Sequence, residues 1–190
     1  KDIVEVLAKV GKVKTPRPKA HFSFDYLGYK FAVYDRTESE VGKAKDSDLH
    51  RSVSVDIANR KIKKIKTRIA RAFHDFSATP DWSLLKDRIA FLTQNFSVYN
   101  PKAGGKKLAG IYHSYPLVDV ESDGLLALDR FLRNAVLSKS GRIFSKSAGL
   151  LSGVQKRKLL SFSFVHGHAK QSFIHFSSSR ISDIQRCWKN

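Results

Sequence analysis

The chain has 190 residues, 42% of them hydrophobic, and 35 Lys and Arg against 17 Asp and Glu give a formal net charge of +18. That apolar content suits one packed domain, or a domain with a subdomain, and the charge points to a polyanionic partner, most often nucleic acid. No apolar run approaches the roughly 20 residues of a membrane span, no signal-peptide pattern opens the chain, and a lone cysteine, Cys187, excludes an internal disulfide framework and fits a reducing, cytoplasmic setting.

In chain order, Ile3, Val4, Leu7 and Val10 fall at helical spacing and Gly11 ends the pattern, which predicts a short amphipathic helix. Lys12, Lys14, Arg17 and Lys19 follow, interleaved with Thr15, Pro16 and Pro18. Prolines this dense forbid regular helix, so the segment reads as a basic loop. In HFSFDYLGYKFAVYDR, residues 21–36, the aromatic residues Phe22, Phe24 and Tyr26 alternate with Ser23, Asp25 and Leu27. The alternation resumes as Tyr29, Phe31 and Val33 after Gly28, predicting two strands with a tight turn between them. Thr37–Leu49 reads as a loop, and Val53, Val55 and Ile57 alternate with Ser52, Ser54 and Asp56 in a third strand.

The clearest helix is Arg60–Phe76, with Asp56 or Asn59 as its cap. Ile62, Ile65, Ile69, Ala72, Phe73 and Phe76 form an apolar stripe, and Lys61, Lys64, Arg68 and Arg71 a second, basic one. Seven bases and no acid lie between Asp56 and Asp75. Without acidic neighbours at i,i+4 to offset repulsion, an external anion is the better explanation of this charge run. Five such residues on duplex phosphates would give a steep salt dependence, about −0.9 in log–log slope per contact.

Asp81 caps a next helix whose buried stripe is Trp82, Leu85, Ile89 and Leu92 or Phe96, and Thr93–Tyr99 reads as its final part. Residues 100–107, NPKAGGKK, read as a flexible basic loop; GGKK lacks the G-x-x-x-x-G-K-[ST] frame of a phosphate-cradling loop. Leu125, Leu128, Phe131, Leu132, Ala135 and Val136 predict a helix capped by Asp123 or Ser122, with Arg130 and Arg133 outward. Arg142–Leu151 reads as a Ser/Gly-rich link. Ser177, Ser178 and Ser179 precede a last helix, Arg180–Lys189, with Ile181, Ile184 and Cys187 or Trp188 inward. From Arg130 to Asn190 there are twelve bases and one acid, Asp183.

A lysine–threonine loop, then F-x-F-D-Y-L-G-Y-x-F, then a basic helix resembles the end of the palm and the start of the thumb in prokaryotic reverse transcriptases of the retron, group II intron and defence-associated (abortive-infection) types. G-I-Y-H-S-Y-P at 110–116, and F-S-F-x-x-G-x followed by I-x-x-I-x-x-C-W-K at the C-terminal end, resemble the defence-associated members. The resemblance implies a primer-grip hairpin with Leu27, Gly28 and Tyr29 at its tip. It implies thumb helices whose Lys61, Lys64, Arg68 and Arg71 hold phosphates of an RNA-template–DNA-primer duplex. Lys12 or Lys14 would protonate the leaving pyrophosphate, general acid catalysis worth about 10²–10⁴-fold. It also implies that the catalytic aspartates, with their Mg²⁺, precede Lys1. The absence of Met fits a C-terminal piece of something longer, or a processed product; an antiviral role is implied by the resemblance alone.

No Asp–Asp pair occurs, so a two-metal centre cannot be built from this sequence alone. His166, His168, His175 and Cys187 match no zinc spacing. A non-catalytic RNA- or DNA-binding module or subunit is the alternative reading, with a structured RNA or a second protein as partner and no membrane. A nuclease using His166 or His168 as base is a third. The expected fold is α+β: a small antiparallel sheet ending the first domain, 1–57, followed by a mostly helical bundle over 58–190.

Overall fold

The computed structural model describes residues 20–34, 52–100, 105–119, 122–171 and 173–189. The predicted first helix, the loop with Lys12 and Lys14, and the 37–49 loop lie outside the described residues. The fold is α+β, with 57% of the described residues helical. Two compact units are present: Lys1–Phe24 with Phe31–Ser54, and Asp25–Lys30 with Val55–Asn190.

Three strands, β1 (Phe22–Tyr26), β2 (Tyr29–Tyr34) and β3 (Ser52–Ile57), form an antiparallel sheet in the order β1-β2-β3. Period-two alternation, aromatic in β1 and β2 and aliphatic in β3, is what makes these strands. In the first unit, Phe24 stacks on Phe22 and on Phe31 with centroids 6.2 and 5.2 Å apart, and the His21 amide donates to the Val33 carbonyl at 2.7 Å.

The second unit holds helices α1 (Asn59–Ala78), α2 (Trp82–Thr93), α3 (Ile111–Ser114), α4 (Asp123–Leu137), α5 (Arg142–Leu150), α6 (Gly153–Leu160), α7 (Phe164–Ala169) and α8 (Ser178–Arg186). Its main core is built from the predicted stripes: Ile65, Ile69, Phe73 and Phe76 of α1, Leu85 and Ile89 of α2, and Leu125, Leu128, Leu132 and Val136 of α4. Each such side chain contributes about 1.5–3 kcal/mol when fully buried. Helix α1 packs on α2, α4 and α5, and α8 packs on α2.

The caps at Asp81, Ser122 and Ser177 form as expected, each side chain accepting from a backbone N–H of the first turn. Neither Asp56 nor Asn59 caps α1; its N-cap is Ala58, and Asn59 is already helical. Asp56 instead reaches the start of α4. It accepts from the Ser122 hydroxyl and from the Gly124 amide at 2.9 Å, placing a carboxylate at that helix's positive end.

Three expectations fail. Residues 95–100 do not continue α2: Asn95–Asn100 is strand β4, paired antiparallel with β5 (Gly105–Gly110) from Asn95↔Gly110 to Asn100↔Gly105. Of the expected 100–107 loop, Asn100 and Gly105–Lys107 therefore lie in strands, and residues 101–104 lie outside the described residues. Strand β6 (Phe173–Ile174) joins β4 in parallel, giving the order β5-β4-β6 and a mixed sheet within the region expected to be mostly helical. The Asn95 side chain explains the switch: its Oδ1 accepts from the Tyr112 amide at 2.9 Å, and its Nδ2 donates to the Gly167 carbonyl at 2.9 Å. These buried bonds hold it out of helix geometry. Thirdly, the 142–151 link is α5, seated on α1 by Ser147, whose hydroxyl donates to the Phe73 carbonyl at 2.8 Å. Among the described residues no helix is long and apolar enough to cross a membrane.

Candidate nucleic-acid interface

The hairpin tip and α1 are physically joined. Leu27 and Gly28 both take positive φ, 48° and 93°, as a two-residue turn between right-twisted strands requires. Glycine meets this without strain; leucine adopts it at a cost of about 1–2 kcal/mol. Leu27 is nevertheless 76% exposed, so a strained position carries an apolar side chain outward. The Gly28 carbonyl accepts from the Ala58 amide at 2.9 Å, which docks the turn on the first residue preceding α1. A Cβ on Gly28 would stand 3.1 Å from Cε of Lys61. The lysine stem thus lies across the glycine.

The basic residues of α1 divide by position. Arg60, Lys63, Lys64 and Arg71 are exposed and share the face opposite the core stripe. Lys61 and Arg68 are half-buried along one border of that face, and Lys66 on the other border lies 5.5 Å from the Phe131 ring. No acid lies on this helix before Asp75. The predicted stripe therefore comprises two outward residues, Lys64 and Arg71, and two border residues, Lys61 and Arg68. Arg60 and Lys63 belong to the same run of seven bases and lie further round the helix than the Lys61, Lys64, Arg68 and Arg71 stripe.

Tyr29, beside the turn, meets the Tyr115 ring edge-on at 6.1 Å. Burial pushes the Tyr115 phenol above its ordinary pKa; the positive Arg68 opposes this and Tyr29 adds to it. The Tyr115 carbonyl in turn accepts from Nε2 of His168, 4% exposed, at 2.9 Å. Sequence reading placed Tyr115 in its G-I-Y-H-S-Y-P motif without assigning it a contact. The C-terminal Trp188 also meets α1: its indole N–H donates to the Arg68 carbonyl at 2.9 Å, and the Arg68 guanidinium lies 5.4 Å from the ring centroid.

His168 is thus committed to a packed turn, and the neighbouring Gly167 sits so close to the Thr93 carbonyl that any Cβ would overlap it. His166 and His175 are exposed. Among the described residues no group of three or more His, Cys, Asp or Glu side chains could hold a metal ion. The residues described here do not fit the Mg²⁺ that a polymerase implies. What the surface can do chemically is bind a polyanion through backbone-directed charge. No family model, no curated protein and no solved structure matches this chain.

Proposed function

We propose that this chain supplies the palm edge, primer-grip hairpin and thumb of an RNA-directed DNA polymerase acting in antiviral defence. It would hold the primer–template duplex while the catalytic carboxylates and their Mg²⁺ lie on a segment preceding Lys1. The observation that carries this reading is the acid-free basic face of α1, fastened at its first turn to an exposed, strained hairpin tip. A row of cations one helical turn apart suits the regular phosphate spacing of a duplex and reads no bases. Leu27, Gly28 and Tyr29 would press on the strand end held at that face. The sequence order of lysine–threonine loop, F-x-F-D-Y-L-G-Y-x-F and basic helix supports the polymerase assignment over a generic basic module.

The test is titration of a labelled RNA–DNA hybrid duplex at several salt concentrations. Replacing Lys63 and Lys64, both exposed, by alanine should lessen the log–log salt slope by about 1.8 if each meets a phosphate. An unchanged slope overturns the assignment of this face. Primer extension by the protein carrying the upstream segment should fall with the same double substitution. Duplex binding without primer extension would assign the chain to a non-catalytic binding subunit.

A further inference from the structure

The last turn of the described chain touches α1 at three points through a single residue. Trp188 donates from its indole N–H to the Arg68 carbonyl at 2.9 Å, and its ring lies under the Arg68 guanidinium at 5.4 Å. Its own carbonyl accepts from Nη1 of Arg71 at 3.4 Å. The indole leans on Phe91 of α2 at 5.8 Å, so its plane is braced from behind. We infer that Trp188 is a positioning residue for the duplex-binding face of α1, fixing the Arg68 and Arg71 guanidinium groups toward phosphate oxygens.

This inference rests on the proposed role of α1 and adds a distant element to it. The contacts of Trp188 are not needed merely to dock α8. That helix is already held to α2 by Arg180, which donates to Asp87 at 2.8 Å and to Ser83 at 3.0 Å. Buried Arg88 also donates to the Ile184 carbonyl at 3.2 Å. Trp188 packs on Phe91 and the apolar clusters, and in addition turns its N–H, its carbonyl and a ring face to one turn of the basic helix. A ring and a carbonyl orient a guanidinium without neutralising it, unlike a carboxylate. A free arginine side chain loses substantial rotamer entropy on binding, and an oriented one loses less. The nucleic-acid phosphate is the ligand such an arrangement favours, because the planar N–H fork pairs with two of its oxygens.

A double-mutant cycle on the intact chain tests this, read as hybrid-duplex affinity and salt slope. Trp188→Leu should lessen the slope by about 1–2, the equivalent of one or two phosphate contacts. In an Arg68→Gln, Arg71→Gln background the same change should cost nothing further, because the groups it positions are gone. Trp188→Phe, which keeps a ring beneath Arg68, should retain most of the slope. If Trp188→Leu does not fold, Trp188→Met, which also lacks a ring, carries the cycle in its place. An unchanged slope in the folded ringless variant, or fully additive losses in the cycle, overturns the inference and assigns Trp188 to packing alone. Should the Lys63, Lys64 double substitution also leave binding unchanged, the reading of α1 itself fails.

Discussion

Tyr115 occupies a position where burial, a cation and a second phenol act on one hydroxyl. Burial is the largest influence and favours the neutral phenol, and the Cys187 thiol is raised for the same first reason, with Arg88 opposing. Both groups bind their protons more tightly folded than unfolded. Their stabilising contribution is therefore complete below the unfolded values and is lost as pH rises through the raised folded ones. Unfolding temperature should fall from about pH 8.5 upward, where an unperturbed thiol begins to titrate, and further beyond about pH 10. Tyr115→Phe should remove the upper part of that decline while leaving neutral-pH stability within about 1 kcal/mol. A pH–Tm series on the two proteins checks it, and parallel curves would show that Tyr115 takes no part.

Among the elements, the direct joint between β3 and the start of α4 is made by the Asp56 carboxylate. Asp56 accepts from the Ser122 hydroxyl and the Gly124 amide, and the Val55 amide donates to Asp119 at 2.8 Å beside it. Asp56→Ala leaves the Ser122 hydroxyl and the Gly124 amide without this acceptor and should cost about 2–3 kcal/mol; Asp56→Asn, which keeps one acceptor oxygen, should cost less. Urea midpoints measure both. The sequence made long amphipathic stripes easy to read, hence α1, α2 and α4. It concealed β4, because Phe96 also continues the apolar spacing of α2, and only Asn95's distant partners, Tyr112 and Gly167, decide against helix. It concealed α5 too, where Ser147 and Ala148 look like a linker but are the small residues that let this helix lie close on α1. At the site, composition revealed the basic helix and alternation revealed the hairpin. The Trp188 contact joins positions 120 residues apart, and no local pattern encodes that.

For the whole molecule, a net charge of +18 is a self-repulsion that folding must overcome. Raising salt from about 0.02 to about 0.2 M shortens the Debye length from about 20 to about 7 Å. The free protein should then gain a few °C in Tm while duplex affinity falls, two responses of opposite sign from one cause. A Tm that drops with salt would mean that ion pairs, such as Arg180 with Asp87, dominate instead.

The parallel seam between β4 and β6 has a consequence for assembly. Strands β4 and β5 are near neighbours in sequence and can pair as soon as both exist. Phe173–Ile174 reaches the other side of β4 only after α3 to α7 have been traversed. During that interval one side of β4 presents unpaired amides and carbonyls to any passing strand. The hazard of edge-to-edge association is therefore greatest in the folding polypeptide, and β6, only two residues long, narrows it by covering Asn95 and Phe96 once the chain has closed.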